Sequence, residues 1–283
     1  MRSPTVVALT AAVLAATLLC HSSASAQVRA PAVAAPTQAP AALSDSEMEQ
    51  FLLKAKVVRT RSTKKGVTDS LQATLSDGKL THDAHIQSVD VRMQQFAGTQ
   101  GVEFNFRDSW TFNIVGYQID RLIGMNMVPV SVARRWRTTE AAYTWWLDDV
   151  LMDEQERLKR KLHPPDVELW NQQMQMVRMF DQLIGNVDRN LGNLMITRDW
   201  RLWPIDHSRA FRVNRDLKTP ANVTRVDRAV LERMKTLTRE TVSRAAGRYL
   251  TTAEIDTMLA RRDAIVARLG SLGESALFER TSR

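Results

Sequence analysis

Three polar side chains in segment 180–211 constrain the fold more than any other feature of this sequence. Asp188 is followed five residues later by Asn193, and thirteen residues after that by Asp206. A phosphoryl-transfer site uses this set, because one carboxylate orients the hydroxyl nucleophile while an amide and a second carboxylate hold magnesium against the phosphates. The spacing therefore predicts a fold in which a loop and a following hairpin carry the three side chains into one site.

The first 26 residues have the pattern of a secretory signal peptide. Arg2 gives a positive start, Val6 to Leu19 is an apolar run, and Ala24 to Ala26 is a small-residue cleavage pattern. The run is shorter than the roughly 20 residues that a spanning helix needs. We expect cleavage and export, to the periplasm or out of the cell, and no membrane span in the mature chain. The alternatives are retention as an N-terminal anchor and lipid attachment at Cys20.

Charge and cysteine content narrow the classes of partner. The chain has 39 Lys+Arg against 31 Asp+Glu, and without residues 1–26, which contribute only Arg2, its charge is about +7. This surplus favours acidic or phosphorylated partners, but it is too diffuse to indicate nucleic acid. Cys20 is the only cysteine, so the mature chain has no disulfide and no cysteine metal site. The five histidines lack the H-E-x-x-H spacing of a zinc hydrolase.

Residues 27–149 divide into a linker and a sheet-rich unit. Segment 27–44 is rich in Ala and Pro and predicts an extended linker, and Ser44 followed by Glu47 predicts a helix start. Segment 45–149 then predicts three antiparallel strands, a helix and a hairpin. The strands are Ala55–Thr60, Leu71–Leu75 and Ala84–Gln87, the helix runs from a Ser109 cap to about Ile123, and the hairpin joins Val128–Trp136 to Ala141–Leu147.

Residues 150–283 are predicted to be mainly helical. The expected helices span about 166–185, 228–236, 239–249 and 252–269, and a short hairpin of 194–196 and 202–205 lies between the first two. The fold class is therefore α+β, with a small antiparallel-sheet lobe that contains one main helix and a larger, mainly helical lobe.

Three segments resemble an atypical branch of the protein-kinase-like superfamily. Ile184 to Asn193 resembles the "GN-x-D-R-H-x-x-N" loop of HipA-type kinases, phosphoinositide kinases and the secretory-pathway Golgi casein kinases. Ile205 to Ser208 is similar to their metal-binding Asp segment, and Phe112 to Val130 resembles the helix and following strand of the Golgi kinase group. The resemblance covers most of residues 50–270 and implies a bilobal protein-kinase-like fold that uses ATP with Mg²⁺, or Mn²⁺.

The resemblance also implies roles for individual residues. Asp188 would be the catalytic base or would orient the acceptor hydroxyl, and Asn193 and Asp206 would bind the metal ion. Arg189 would support the loop or contact phosphate. Asn190 departs from the pattern, because it stands where this branch usually has His.

The small lobe departs further from the pattern. Ala84 to Gln87 resembles the V-A-I-K strand with Gln87 in the position of the phosphate-binding lysine, and the helix offers Asn113 or Gln118 where its glutamate partner is expected. Other charged residues could take these places near the nucleotide. The candidate cations are Lys79, Arg92 and Lys64-Lys65, and Glu103, in the loop predicted before the helix, is the candidate acid.

Three functions remain open at this point. The first is an exported kinase that transfers phosphate from ATP to a hydroxyl group on a protein or a small molecule. The positive charge of the chain favours acceptors that carry acidic or phosphorylated groups. The second is a pseudokinase that serves as a binding or scaffold module, which the missing Lys and Glu favour. The third is a nucleotidyl transferase on the same scaffold, which would transfer AMP.

Overall fold

The computed structural model describes residues 43–63, 70–98, 101–186 and 189–280, and the part that begins at Leu43 is one compact unit. The predicted signal (1–26), the predicted linker (27–44) except its last two residues, the two lysines at 64 and 65, and Asp188 lie outside the described residues. Predictions that concern them stay predictions.

The small lobe is an antiparallel sheet with two helices. Its elements are α1 (Asp45–Lys54), β1 (Lys56–Ser62), β2 (Leu71–Ser76), β3 (Thr81–Gln87), β4 (Asp90–Gly98), β5 (Gly101–Ser109), α2 (Thr111–Leu122), β6 (Ser131–Trp136) and β7 (Thr139–Trp145). The strand order is β1-β2-β3-β7-β6, and every neighbouring pair is antiparallel. Ser44 caps α1 in a capping box with Glu47, which confirms the predicted helix start.

Alternation along β3 divides the sheet into an apolar and a polar face. Ala84 and Ile86 are buried in the core, where Leu52 of α1 packs against the same cluster. His85 and Gln87 point to the opposite face because side chains alternate along a strand. At the end of this polar face, Gln87 accepts a hydrogen bond from Asn113 of α2.

The hairpin of β4 and β5 replaces the loop that the sequence was expected to form before the helix. The two strands pair in register from Asp90 opposite Ser109 to Gly98 opposite Gly101. The alternation of Val102, Phe104 and Phe106 is a strand signal. The prediction that Ser109 caps α2 was also wrong: Ser109 ends β5, and Trp110 occupies the cap position without a side-chain bond.

The large lobe is mainly helical, as predicted. Its elements are β8 (Val150–Asp153), α3 (Glu154–Lys159), α4 (Val167–Ile184), β9 (Leu194–Thr197), β10 (Leu202–Pro204), β11 (Val226–Asp227), α5 (Arg228–Lys235), α6 (Arg239–Ala246), α7 (Thr252–Leu272) and β12 (Leu277–Phe278). Asp166 caps α4 and Gly185 ends it in the left-handed conformation at φ 63°. The predicted hairpin is formed by β9 and β10, and β8 adds to it as a third strand.

One apolar core runs through both lobes. It joins Leu75 and Tyr143 of the sheet to Phe112 of α2, and Phe180 and Met258 of the large lobe belong to the same cluster. Among the described residues, no helix is both long and apolar enough to cross a membrane.

Candidate functional site

The hairpin of β9 and β10 brings Asn193 and Asp206 together. Leu194 pairs with Pro204, and the Ile205 N–H donates to the Asn193 carbonyl at 3.0 Å, so the residues at the open end of the hairpin are held side by side. Asn193 Nδ2 lies 3.5 Å from Asp206 Oδ2. Asp206 is exposed and has a positive φ of 53°, which turns its side chain out of the strand direction.

Arg189 connects the open end of the β9–β10 hairpin to α4 through an ion pair and hydrogen bonds. Its guanidinium forms an ion pair with Asp181 at 2.9 Å, and Nη1 donates to the carbonyls of Asn193 and Ile205, at 3.3 and 2.5 Å. Both side chains of the pair are about nine-tenths buried. These contacts join the open end of the hairpin to α4. That Arg189 also contacts phosphate stays a prediction.

Gln87 and Asn113 meet where the Lys and Glu pair was expected. Asn113 Nδ2 donates to Gln87 Oε1 at 2.5 Å, and Asn113 Oδ1 accepts from the His207 backbone N–H at 2.7 Å. All three residues are buried. A neutral amide pair therefore links β3 to α2, and the same Asn113 holds the residue next to Asp206.

Two histidines near Asp206 have lowered pKa values. Burial, and then the charge of Arg189, hold the pKa of His207 well below its usual value, and His207 packs edge-on against Phe180. Desolvation also lowers the pKa of His85, which the charge of Asp206 partly opposes. A Cβ at Gly116 of α2 would lie 3.1 Å from the His207 ring, so the absence of a side chain there lets α2 approach this segment closely.

A buried arginine on α7 joins the end of α4 to the segment that follows Asp206. Arg261 Nε donates to the Leu183 carbonyl at 3.0 Å, and its Nη1 donates to the carbonyls of Arg212 and Asn214, at 2.8 and 2.5 Å. Burial lowers the pKa of Arg261 to about 10. The end of α4 and the segment after Asp206 are therefore held by one side chain.

Lys79 is placed away from the site. It lies in the turn between β2 and β3, next to Ser76 and Thr81, whereas Gln87 is at the other end of β3. Six residues of extended strand separate Thr81 from Gln87, a distance of about 20 Å. The Lys79 side chain cannot reach a phosphate group held beside Gln87. The expectation that Lys79 replaces the missing phosphate-binding lysine is therefore wrong.

Glu103 is likewise used elsewhere. It lies on β5 rather than in a loop, and its carboxylate forms an ion pair with Arg212 and lies 3.8 Å from Arg209. Burial lowers the pKa of Arg212 to about 10. Glu103 therefore attaches the β4–β5 hairpin to the segment that follows Asp206, and it does not act as the acid partner of a phosphate-binding cation. Arg92, on β4, lines a separate cavity with Arg107 and Arg248.

One cation that sequence reasoning missed lies on the polar face of the sheet. Arg61 of β1 is opposite Gln72 of β2, and Gln72 is opposite His85 of β3, so the three side chains share the face that carries Gln87. Arg61 Nε donates to Gln72 Oε1 at 2.8 Å. Its other guanidinium nitrogens have no hydrogen-bond partner within the described part of the chain, and Arg61 is exposed.

The donors at the open end of the hairpin suit a hard divalent cation. Magnesium prefers carboxylate and amide oxygens and usually keeps other positions for water and phosphate. Asp206 and Asn193 supply one such oxygen each, because a half-turn of the amide exchanges its N and O. No group of three or more His, Cys, Asp or Glu side chains that could enclose a metal ion occurs among the described residues, so a metal bound here would need other oxygen ligands.

Comparison with solved structures places the chain in the atypical protein-kinase-like fold. The structure of hydra Fam20 with sugar matches with a TM-score of 0.62 at 15% identity, covering 84% of this chain and 93% of that one. The Golgi casein kinase with Mn/ADP bound matches with a TM-score of 0.59 at 13% identity, over 82% of this chain and 76% of that one. Neither a protein-family model nor a curated protein sequence matches the chain. The predicted bilobal α+β fold is confirmed.

Proposed function

We propose that this chain is an exported phosphotransferase that binds ATP with Mg²⁺ and transfers a phosphoryl group to a hydroxyl acceptor. The observation that carries the proposal is the 3.5 Å approach of Asn193 and Asp206 at the open end of the β9–β10 hairpin. The link from Gln87 through Asn113 to His207, the residue after Asp206, supports it, because nucleotide phosphates would lie between the polar face of the sheet and the metal ligands.

The residues divide the work between the two lobes. Asn193 and Asp206 would hold the metal ion, and Asp188 would orient the acceptor hydroxyl. Bound magnesium would neutralise charge on the phosphates. The side-chain oxygen of Gln87 is engaged by Asn113, but its amide nitrogen can donate to a phosphate oxygen. Arg61 supplies positive charge on the same face. Arg189 donates to the Ile205 carbonyl and Asn113 accepts from the His207 N–H, so the residues on both sides of Asp206 are held in place.

The acceptor is proposed only by class. Two of the solved structures in this fold carry a sugar or are called a casein kinase, so sugar and protein hydroxyls are the first acceptors to test. The positive charge of the chain favours acceptors with acidic or phosphorylated groups.

A pseudokinase is the second candidate, and the pair of Gln87 and Asn113 favours it. A charge-assisted hydrogen bond is roughly twice as strong as a neutral one. Because both members of this pair are neutral amides, the site holds phosphate less firmly than a lysine would. Such a chain would bind a nucleotide without transferring phosphate efficiently.

Titration calorimetry with ATP, in the presence and absence of Mg²⁺, tests nucleotide binding. We expect saturable, magnesium-dependent binding that Asp206→Ala abolishes and that Asp263→Ala, an exposed acid on α7, leaves intact. If the purified chain binds no ATP with magnesium, the phosphotransferase is wrong, and the pseudokinase is left only as a scaffold without nucleotide. Mass spectrometry of acceptors then separates them: an added phosphate that Asp188→Ala prevents supports the kinase, binding without any transfer supports the pseudokinase, and an added AMP supports nucleotidyl transfer.

A further inference from the structure

A cavity of about 280 Å³ lies apart from the candidate site, against the β4–β5 hairpin. Its wall includes Arg92 and Arg107 from the hairpin, Trp110 at the start of α2, and Arg248 and Tyr249 from the turn between α6 and α7. The candidate metal ligands, Asn193 and Asp206, do not line this cavity. Three arginines thus reach one cavity, two from the β4–β5 hairpin and one from the turn between α6 and α7.

The hairpin brings two of these arginines into direct opposition. Arg92 of β4 pairs with Arg107 of β5 in the strand register. Like charges directly opposite each other in a sheet are destabilising. An anion between them would convert this repulsion into attraction, so the register itself favours a negatively charged ligand.

The neighbouring acids leave part of this positive charge uncompensated. Glu254 accepts from Arg107 Nη1 at 2.6 Å, but the same carboxylate is also engaged by the backbone and hydroxyl of Thr251. Glu140 forms only an exposed pair with Arg248, at 3.2 Å. Within the described residues, Arg92 has no hydrogen-bond or ion-pair partner, and the buried Nε of Arg107 has none either.

The shape of the wall indicates the class of anion. Trp110 and Tyr249 meet edge to face, with ring centroids 6.1 Å apart, and form an apolar side. The volume of about 280 Å³ is slightly below that of most ligand pockets, which suits a single charged group with a short apolar stem. A phosphate monoester offers three terminal oxygens to donors from several directions, whereas a carboxylate offers two in one plane, and guanidinium groups bind phosphate well.

We propose that this cavity binds a phosphate monoester, carried either by a phosphorylated side chain or by a small phosphate ester. Arg92, Arg107 and Arg248 hold the phosphate oxygens, and Trp110 and Tyr249 contact the stem. Arg107 is fixed in place by Glu254 and by its guanidinium lying 4.5 Å over the Phe112 ring. This proposal goes beyond the phosphotransferase function and does not rest on it.

Titration calorimetry of the full chain in EDTA tests the site, because EDTA removes any metal that could hold phosphate at Asp206. The probes are O-phosphoserine, a phosphoserine peptide, and glutamate. We expect saturable binding of the phosphate probes, weakened about tenfold by Arg92→Gln and by Arg248→Gln. Both residues are exposed, so both variants should fold, and thermal unfolding checks that they do. Arg198→Gln removes the same charge from an exposed arginine elsewhere and should change nothing.

Tighter binding of the peptide than of O-phosphoserine would identify a protein-borne phosphate, and equal binding a small ester. The absence of saturable binding would overturn the proposal. So would an equal loss in Arg198→Gln, which would mean attraction to overall charge, or equal binding of glutamate, which would mean a general site for acidic groups.

Discussion

Asn113 donates to Gln87 Oε1 at 2.5 Å and accepts from the backbone of His207 at 2.7 Å, so one amide joins the sheet to the residue beside Asp206. In a site built on Lys and Glu, the same connection would be ionic. Here it is neutral and buried, and the hydrogen-bonding capacity of Asn113 in both directions is used. The position of the candidate metal ligand therefore depends on α2.

Replacing Asn113 should destabilise the fold and the metal site together. Asn113→Ala leaves the Gln87 carbonyl and the His207 N–H without partners in a buried place, and we expect a loss of about 2 kcal/mol in the free energy of unfolding. Urea denaturation measures this loss. Gln118→Ala on the same helix is the control, because Gln118 Oε1 has no hydrogen-bond partner in the described part of the chain. Equal losses in the two variants would contradict the role of the Asn113 bonds.

Gly185 should tolerate no side chain. It ends α4 at φ 63°, and an added Cβ would lie 2.8 Å from Cζ of Arg261, which three backbone carbonyls hold in place. Left-handed backbone alone costs a non-glycine residue roughly 1–2 kcal/mol, so we expect Gly185→Ala to lose at least about 2 kcal/mol.

Gly270→Ala is the matched control for this substitution. Gly270 lies within α7 with nothing within 4 Å of an added Cβ. There alanine should stabilise the helix by up to about 1 kcal/mol. Thermal or urea unfolding of both variants measures the two changes, and a loss of stability at Gly270 as large as that at Gly185 would show that the contact with Arg261 is not the cause.

Local signals explain which elements the sequence could predict. Helix α4 was found because Asp166 and Gly185 mark its ends, and Asn193 and Asp206 were found because a hairpin separates them. The β4–β5 hairpin was missed although its apolar residues alternate. Val102 and Phe104 are 59% and 66% exposed, so this alternation does not mark a face that packs into the core. Arg61 could not be found, because only the register of three strands brings it to the face of Gln87.

The buried carboxylate of Asp120 should make stability depend on pH. Asp120 accepts from the Met127 N–H at 3.0 Å and pairs with Arg121, but complete burial raises its pKa from 3.8 to about 6. Between these values the folded chain binds more protons at Asp120 than the unfolded chain, so this group lowers the free energy of unfolding as pH rises.

Asp120→Asn removes this dependence. The substitution itself can cause a difference that does not depend on pH. Beyond that, the free energy of unfolding of the variant relative to the wild type should increase by roughly 2 kcal/mol between pH 4 and pH 7. Urea denaturation of both proteins at four pH values in this range measures the difference. A difference that stays constant with pH would mean that Asp120 is ionised in the fold as readily as in the unfolded chain.

Arg61 should carry the positive charge that the lysine position lacks, if the site binds ATP. It lies at the end of β1 that leads into segment 64–69, two strands away from Gln87 on the same face, which is about 12 Å between backbones and within reach of an arginine and a triphosphate. Loss of one charge-assisted contact to phosphate should weaken magnesium-dependent ATP binding about tenfold in Arg61→Gln.

Arg59 provides the control for this prediction, because it lies on the same strand and the same face, opposite Thr74, but two residues farther from segment 64–69. Arg59→Gln removes the same charge and should weaken ATP binding less than about threefold, since exposed charges at a longer distance are screened. Calorimetric titration compares the two variants, and AMP serves as a second ligand.

Because AMP lacks the β- and γ-phosphates, its affinity should respond less to Arg61→Gln than that of ATP. Equal effects of Arg59 and Arg61 would assign the attraction to the general charge of β1 and leave Gln87 as the principal phosphate donor of the small lobe.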